Sequence, residues 1–352
     1  MILVTGAAGF IGSNFVKECL SNPDERVVSL DQLTYAGNLS NLEFCVNNPA
    51  HIFVKGDIND EEKVSEILEE YKPNKIVNFA AESHVDRSIN SPEIFFQTNV
   101  LGTFRLLEAS RKYFEGLSKE KKEIFRILHI STDEVYGSLT ELEKPFNEEN
   151  RFKPNSPYSA SKASSDHIAR SYFKTFSLPI MISNCSNNYG PYQHPEKLIP
   201  LTILNLLEDK EISVYGDGKQ IRDWLYVEDH CRAIKTILDN GDIGEVYNVG
   251  GNNEMQNIQV IETICDLLEV YSPRKSGKEY KDLIKFVKDR PGHDTRYAIN
   301  NNKIKEKLSW IPNESFESGI QKTLQWYLTN KEWVDDARDS KHQAWINEQY
   351  TN

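Results

Sequence analysis

The sequence predicts an α/β protein with a doubly wound parallel sheet and a smaller mixed α/β C-terminal lobe. Two features of the chain predict this fold. Through the first half, short runs rich in β-branched residues alternate with helix-length amphipathic segments, which is typical of repeated βαβ units. From about Tyr189 onward this alternation stops, and irregular loops with scattered helices, such as 258–271, indicate the smaller lobe.

The candidate strands of the sheet are ILVTG, RVVSLD, IFVKGD, KIVNFAA, FRILHIS and PIMISN. The helices between them begin near Phe10, Glu61, Pro92 and Pro157. Ser91 and Ser156 precede the two prolines, which suits an N-cap followed by proline at the first helical position. These last two helices carry more apolar residues than one sheet-facing side needs, so we expect the chain to form a homodimer through them.

Composition narrows the class of protein. A chain of 352 residues can form one large or two unequal domains, and its net charge of −12 argues against binding nucleic acid or anionic lipid. The five cysteines are odd in number and never form a C-x-x-C pair, which favours reduced thiols over a disulfide or zinc framework. The first residues lack the features of a signal peptide, and no uncharged apolar run is long enough to span a membrane, so we expect a cytoplasmic protein. We expect no metal site.

The segment VTGAAGFIGS places Gly6, Gly9 and Gly12 between the first strand and the first helix. Small residues there let the backbone approach a pyrophosphate at the helix N-terminus. The second strand ends at Asp31, about 20 residues on, where a carboxylate can accept hydrogen bonds from the ribose hydroxyls. The alternative is an ordinary glycine-rich turn with a chance Asp. Because the charge of Asp31 would repel a 2′-phosphate, the pattern favours NAD over NADP.

Tyr158 and Lys162 lie four residues apart in PYSASK, so a helix would place them on one face. A nearby ammonium stabilises a phenolate, and we expect Lys162 to lower the pKa of Tyr158 towards that of a general base. The alternative is a surface helix pair. The position of the motif after the fifth strand of a nucleotide-binding sheet favours the catalytic interpretation.

The stretch ILHISTDEVYG sets Thr132 and two adjacent carboxylates, Asp133 and Glu134, directly after an apolar run. A buried strand has no structural need for them. They could form a solvated strand end, cap a following turn, or serve chemistry. Successive side chains on a strand point to opposite faces, so both carboxylates reach one substrate only if the chain turns here.

TGAAGFIG together with YSASK resembles the extended short-chain dehydrogenase/reductase family, which has a Rossmann fold. Five further stretches resemble the dTDP-glucose 4,6-dehydratase group of that family: AAESHVDRSI, STDEVYG, NCSNNYGPYQHPEKLIP, IRDWLYVEDH and DRPGHDTRYAI. The resemblance extends from Met1 to about Tyr327. It implies NAD as the cofactor, a nucleotide sugar as the substrate, and pairing through helices such as those at Pro92 and Pro157.

The resemblance also implies catalytic roles. Tyr158 would deprotonate the sugar C4 hydroxyl while NAD oxidises C4, with Lys162 holding the nicotinamide ribose and Thr132 bonded to the C4 oxygen. Glu134 would then remove the C5 proton and Asp133 would protonate the departing O6 hydroxyl. Elimination requires one base and one acid, and two carboxyl groups in different protonation states suffice. The hydride would finally return to C6.

The cofactor set predicted from the motif and the resemblance is Gly6, Gly9, Phe10, Ile11, Gly12, Asp31, Thr34, Asp57, Ile58, Phe79, Ala80, Ala81, Ser83, Thr98, Tyr158, Lys162 and Asn188. The predicted substrate set is Ser83, His84, Thr132, Asn187, Lys197, Leu198, Tyr215, Arg222, Asn257, Arg290, His293 and Tyr297. Cations among these suit the substrate diphosphate. His84 could instead be structural, Lys197 and Asn257 could be surface residues, and Asn99 could be a nicotinamide neighbour or a helix-bonded structural residue.

We therefore expect residues 1–188 to bind NAD and carry the catalytic groups, 189–330 mainly to bind the nucleotide sugar, and 331–352 to form a tail of open role. Some segments of the second range could return to the first domain. Two alternatives remain: a 4-epimerase or decarboxylase of the same family, and a non-catalytic NAD-binding sensor. The sequence does not distinguish thymine from uracil or another base.

Overall fold

The structure is a computed structural model and describes residues 1–289 and 292–338. Its strands are β1 Ile2–Thr5, β2 Val27–Asp31, β3 His51–Lys55, β4 Lys75–Asn78, β5 Arg126–Thr132, β6 Ile180–Cys185, β7 Asn187–Tyr189, β8 Ile212–Tyr215, β9 Ile221–Tyr226, β10 Val246–Val249, β11 Glu254–Gln256 and β12 Ile284–Val287. Its helices are α1 Phe10–Leu20, α2 Glu61–Tyr71, α3 Val85–Asn90, α4 Pro92–Phe95, α5 Thr103–Gly116, α6 Lys119–Ile124, α7 Pro157–Phe176, α8 Leu198–Leu207, α9 Val227–Asn240, α10 Asn257–Tyr271, α11 Asn302–Leu308, α12 Phe316–Thr329 and α13 Lys331–Ala337.

In the described part of the chain, a seven-stranded parallel sheet has the order β3-β2-β1-β4-β5-β6-β10. All six strands predicted from the sequence are in it. The order reverses between β1 and β4, where α/β sheets bind ligands outside the carboxyl ends of their strands. The seventh strand, β10, comes from the range that the sequence assigned mainly to the nucleotide-sugar lobe.

Helices cover both faces of this sheet. On one face, α1 and α9 bury side chains such as Phe15 and Ile234 against the strands. On the other face, α2, α5 and α7 bury Leu68, Leu106 and Ala169 in the same way. Helix α9 follows Tyr226, so residues beyond 189 complete the first domain as well as forming the second.

The two predicted helix starts at proline differ. At Pro157, Ser156 Oγ accepts from the Ser159 N–H at 3.1 Å and Ser159 Oγ accepts from the Ser156 N–H at 3.0 Å, which is a capping box. Ser91 makes no such side-chain bond, so its predicted capping role is wrong. The prediction of a single helix from Pro92 is also wrong. The segment consists of α4, a π-helical turn, Phe96–Gly102, and α5. Such turns are rare and often lie at functional sites.

The C-terminal lobe has its own core. Strands β7, β9 and β11 form one small sheet and β8 pairs with β12 in another. Helices α8, α10 and α12 pack around buried Tyr189, Ile203, Ile261 and Ile320. Within residues 1–289 and 292–338, no helix is long and apolar enough to cross a membrane.

Candidate active site

A cavity of about 530 Å³ lies at the carboxyl ends of the parallel strands and extends into the C-terminal lobe. Every predicted catalytic, cofactor and substrate residue in the described part of the chain lines this one cavity. Arg290 lies outside the described residues. Residues from distant parts of the sequence therefore meet here because parallel strands end at the same edge of a sheet.

The glycine turn leaves an open cradle at the start of α1. Gly6 has φ +66°, and a Cβ on it would lie 2.7 Å from the Ala80 nitrogen. A Cβ on Gly12 would lie 2.1 Å from the Gly6 carbonyl oxygen, so the turn and helix could not pack with any larger residue. The cradle has the shape and the N–H donors that a dinucleotide diphosphate needs, so the residues fit NAD.

Asp31 lies at the end of β2 beside this cradle. One of its oxygens accepts from the Ala8 N–H at 2.9 Å and the other from the Leu33 N–H at 2.8 Å. Burial raises the pKa of Asp31, and these two backbone bonds oppose the rise. The carboxylate is thus fixed in place with further acceptor capacity for ribose hydroxyls.

Other predicted cofactor residues lie after later strands or on the π-helical turn. Asp57 Oδ1 accepts from the Asn59 N–H at 2.8 Å and so shapes the turn after β3. Thr98 lies on the π-helical turn. Asn99, beside it, donates to the Glu82 carbonyl at 2.9 Å and to Ser161 Oγ at 2.8 Å. The Asn99 amide therefore joins the π-helical turn to the loop after β4 and to α7. This agrees with the alternative that Asn99 is a structural residue.

Tyr158 and Lys162 share a face of α7, and both side chains are buried. Lys162 Nζ donates to the Ile130 carbonyl at 2.7 Å. Burial raises the pKa of Tyr158 well above its usual value, and the Glu134 carboxylate adds to the rise. The prediction that the pKa of Tyr158 is lowered is therefore wrong for the protein without bound cofactor. Burial also lowers the pKa of Lys162, against the effect of Asp166, which weakens the cation that was expected to act on the phenol.

The chain turns at the end of β5, as simultaneous use of both carboxylates requires. Thr132 is the last extended residue, and Asp133–Tyr136 form a 3₁₀ turn. Thr132 Oγ1 accepts from the Glu134 N–H at 3.3 Å and lies 3.3 Å from Asp133 Oδ1. Thr132 therefore caps the turn, which leaves both carboxyl groups to line the cavity.

The two carboxyl groups have different surroundings. Asp133 is 2% exposed, and among the described residues its Oδ2 has no hydrogen-bond partner. Burial raises the pKa of Asp133 well above its usual value, and the charges of Glu134 and Asp223 add to this, against Arg222. Glu134 is partly exposed. The surroundings of Asp133 thus favour its protonated form, while Glu134 has access to solvent.

The C-terminal lobe contributes cations and amides. Arg222 lies over the Tyr297 ring, 4.3 Å from guanidinium carbon to ring centroid, and His293 Nδ1 is 2.7 Å from Asp289 Oδ1. Lys197 Nζ donates to the Ser83 carbonyl at 3.1 Å, which joins the lobe to the loop after β4. In the described chain, the buried amide oxygens of Asn187 and Asn257 lack hydrogen-bond partners. These amides suit a polar ligand in the cavity.

The sequence interpretation missed part of the cavity wall. Its far end includes Asn205 on α8 with Glu211 and Ser213 near β8. Glu82 and Glu196 also line the cavity, although the sequence interpretation gave them no role; both lie in stretches that carry the family resemblance. Asn205, Glu211 and Ser213 belong to none of those stretches, and the fold of the lobe brings them to the cleft, so the sequence carries no local signal for these three.

Comparison with known proteins agrees with this geometry. The chain matches the family model described as GDP-mannose 4,6 dehydratase over residues 3–323. It is 56% identical over 340 residues to a dTDP-glucose 4,6-dehydratase of Xanthomonas campestris pv. campestris, covering 97% of this chain and 96% of the relative.

Two solved structures show how widely the fold is shared. DesIV, a dTDP-glucose 4,6-dehydratase from Streptomyces venezuelae with NAD and TYD bound, is similar at a TM-score of 0.87 and 42% identity, covering 96% of this chain and 99% of that chain. A UDP-glucose 4-epimerase with UDP-glucose from Thermotoga maritima is similar at a TM-score of 0.82 and 28% identity, covering 94% and 99%. The fold alone thus does not decide between these reactions, and the residues in the cavity must.

Substitution of Asp31 tests the cofactor site. Asp31→Asn removes the charge that favours ribose hydroxyls and repels a 2′-phosphate, so NAD affinity should fall by about 10- to 100-fold and NADP should bind comparatively better. Calorimetric titration of the apoprotein with each dinucleotide measures both changes. Asp24→Asn, in the exposed loop before β2, is the matched control. Unchanged NAD affinity with continued exclusion of NADP would contradict the assignment.

Proposed function

The chain belongs to the GDP-mannose 4,6 dehydratase family, and we propose that it is an NAD-dependent sugar-nucleotide 4,6-dehydratase. It converts dTDP-glucose to dTDP-4-keto-6-deoxyglucose and water. The 56% identical relative named dTDP-glucose 4,6-dehydratase supports this substrate, as does the similarity to DesIV. The observation that carries the reaction is the turn after β5, because buried Asp133, whose pKa is raised, and partly exposed Glu134 line a single cleft with Tyr158.

The first chemical task is to activate the C4 hydroxyl of the sugar. NAD, when bound, supplies a positively charged nicotinamide ring and the redox couple for C4. Tyr158 accepts the C4 hydroxyl proton as its phenolate, and Thr132 at the end of β5 can hydrogen-bond the same oxygen. The Lys162 ammonium, fixed on the Ile130 carbonyl, holds the face of α7 on which the phenol lies. The positive charge of a bound nicotinamide ring would favour the phenolate, against the burial that raises the pKa of Tyr158.

The second task is elimination of water across C5 and C6. Once C4 is a ketone, its neighbouring C5 proton is acidic, and Glu134 removes it. Asp133 gives its proton to O6, so the C5–H and C6–O bonds break while a C5–C6 double bond forms. Burial raises the pKa of Asp133, which favours its protonated form and suits it to act as the acid, whereas the more exposed Glu134 is suited to act as the base.

The third task restores the protein groups. Reduction of the double bond at C6 leaves C5 to be protonated by Glu134, which returns that carboxyl group to its starting form. At this stage Tyr158 has gained one proton and Asp133 has lost one. Transfer of a proton between them, directly or through solvent, completes the cycle without a net change in the protein.

The substrate side of the cleft supports a sugar nucleotide. Arg222, His293 and Lys197 line the cavity on the lobe side, and cations of this kind stabilise a diphosphate. Asn187 and Asn257 can bond the sugar or base. We retain the substrate and cofactor roles of the predicted residues as part of this proposal, including that of Arg290.

A 4-epimerase is the principal alternative on the same fold. It removes and returns one hydride and breaks no C–O bond, so it has no need of an acid at O6. Asp133 is buried beside Glu134 and its pKa is raised, so this pair of carboxyl groups favours dehydration. A non-catalytic sensor would need neither carboxyl group nor Tyr158.

Mass spectrometry of the reaction products tests the proposed reaction and its substrate. With dTDP-glucose, the product should weigh less than the substrate by one water, whereas an epimerase would leave the mass unchanged. We expect UDP-glucose to react at least about tenfold less efficiently, if the base is selected by roughly one hydrogen bond or methyl contact. Equal efficiency with both substrates would contradict the assignment of thymine as the base. A product of unchanged mass would contradict the proposed dehydratase reaction.

Substitution of each carboxyl group separates their roles. Asp133→Asn should still oxidise C4 and exchange the C5 proton but should eliminate water about 100-fold more slowly. Reduced cofactor should therefore accumulate, which is measured as a rise in near-ultraviolet absorbance. Glu134→Gln should not incorporate solvent deuterium at C5 of recovered sugar. A substrate with fluoride at C6 needs less acid assistance and should partly rescue Asp133→Asn only. Equal rescue of both variants, or of neither, would contradict this division of labour.

We also propose a homodimer formed through α4, the π-helical turn, α5 and α7. These segments carry large apolar side chains, each at least 41% exposed: Ile94, Phe96, Leu101, Phe104 and Phe176. Phe104 and Phe176 lie on either side of Tyr172, with ring centroids 6.5 Å and 5.1 Å from its ring, so α5 and α7 present these two side chains close together. A patch of this kind on one surface typically marks a protein interface.

Light scattering at micromolar concentration should give the mass of two chains. Phe104→Glu would place a charge in the apolar interface and should weaken dimerisation roughly 100-fold. Val270→Glu alters another exposed apolar residue, on α10, and should leave the mass unchanged. A monomeric parent protein would exclude this interface.

A cytoplasmic location is part of the same proposal. All five cysteines are free and buried, as is usual for proteins of a reducing compartment. A nucleotide-sugar substrate fits that compartment, and the product suits deoxysugar biosynthesis.

A further inference from the structure

Helix α13 leaves the core of the C-terminal lobe and contacts the segment after β2. Trp333 Nε1 donates to Asn41 Oδ1 at 2.6 Å. Asp336 Oδ2 accepts from Asn38 Nδ2 at 2.8 Å and from Ser40 Oγ at 3.2 Å. These residues are almost 300 positions apart in the chain, so the contact joins the end of the described sequence to the nucleotide-binding domain.

The contacted segment is the outer wall of the glycine turn. Asn41 Nδ2 donates to the Ala8 carbonyl at 2.7 Å, and the Asn38 N–H donates to the same oxygen at 3.1 Å. The Ala8 N–H in turn donates to Asp31 Oδ2 at 2.9 Å. Trp333 is thus connected through the amide of Asn41 and the peptide groups of Ala8 to the carboxylate that fits the adenosine ribose.

The other side of α13 is anchored in the C-terminal lobe. The Trp333 ring lies 4.9 Å from Trp326 and 5.8 Å from Tyr192, measured between ring centroids. Val334 is buried in the same core. Tyr327 OH donates to the Gln193 carbonyl, so this aromatic cluster also holds the loop that follows β7. Helix α13 therefore spans the two halves that form the cleft.

The segment after β2 has little regular structure of its own to keep it in place. Between β2 and β3 it forms a single 3₁₀ turn, Leu39–Cys45, capped by Asn38, and Leu33 before it has φ +60°. Leu42 and Cys45 are buried beneath it, whereas Leu39 and Phe44 are exposed. A long loop of this kind opens more readily than a strand or helix unless outside contacts hold it.

We propose that α13 is a strap that holds the adenosine side of the NAD site closed, with Trp333 and Asp336 as positioning residues. Neither residue lines the cavity that fits NAD. Their hydrogen bonds fix Asn38 and Asn41, which fix Ala8 and thereby Asp31. The strap slows release of NAD, which suits a reaction that regenerates its cofactor in each cycle and gains nothing from exchange. The inference rests on the part of the proposed function that assigns NAD to this cleft.

The test compares two identical substitutions in one aromatic cluster. Trp333→Phe retains an aromatic ring beside Trp326 but removes the N–H donor to buried Asn41, so NAD should leave the holoenzyme roughly three- to tenfold faster. Trp326→Phe is the matched control, because its indole makes no hydrogen bond within the described residues, and NAD release should not change. Release is followed by chasing bound NAD with isotopically labelled NAD and analysing the protein-bound fraction.

A second variant and a second measurement separate positioning from stability. Asp336 is exposed, so Asp336→Ala should fold normally, and it should accelerate NAD release about two- to fivefold. In both strap variants the apparent KM for added NAD should rise by a larger factor than kcat falls. Their unfolding midpoints without NAD should differ little from that of Trp326→Phe.

Three results would overturn the strap. The first is parental NAD release in both Trp333→Phe and Asp336→Ala. The second is an equal acceleration in Trp326→Phe, which would mean that general loosening of the aromatic cluster is responsible. The third is a loss of kcat without a change in NAD release. A parent protein that binds no NAD would instead contradict the proposed function itself, so the two failures are distinguishable.

Discussion

The catalytic end of this protein depends on the turn that ends β5. The strand is buried along almost its whole length, and an extended continuation would send Asp133 and Glu134 to opposite faces of the sheet. Thr132 prevents this by accepting the Glu134 N–H, which starts the 3₁₀ turn directly at the strand end. The hydrogen bond from Lys162 to the Ile130 carbonyl attaches α7 to the same strand. The position of the Tyr158 phenol is therefore fixed relative to the two carboxyl groups.

Burial divides the labour between two chemically similar groups. Asp133 loses almost all contact with water and its pKa rises, while the next residue, Glu134, stays partly exposed. Arg222 from the C-terminal lobe opposes the rise, but burial is the larger cause. The lobe therefore affects Asp133 directly, because Asp223 raises the pKa of Asp133 and Arg222 lowers it. In the proposed mechanism, a difference in environment rather than in chemical type provides one acid and one base.

The sequence predicted well those features that depend on local pattern. The six strands, the turn around Gly6 and Gly12 and the starts of α1, α2 and α7 follow from periodicity, glycine spacing and capping, all within a few residues. The π-helical turn at Phe96–Gly102 and strand β10 depend on tertiary contacts and were missed. The direction of the Tyr158 pKa shift failed for a related reason, since helix spacing places a cation nearby but does not reveal how deeply the phenol is buried.

The two halves of the cleft are joined at several points, and these lie close to groups that the chemistry needs. Asn188 Oδ1 is 2.9 Å from His230 Nδ1, which ties the end of β7 to α9 beneath the large sheet. Burial lowers the pKa of His230 to about 3, so the ring is neutral and serves as a fixed donor rather than a charge. Lys197 bonds the Ser83 carbonyl on the sugar side. Because the reaction breaks a C–O bond only after C4 has been oxidised, a cleft that opened between these steps would release a ketone intermediate. Polar contacts that join the two sides of the cleft therefore help to retain the ketone intermediate until elimination is complete, in addition to stabilising the fold.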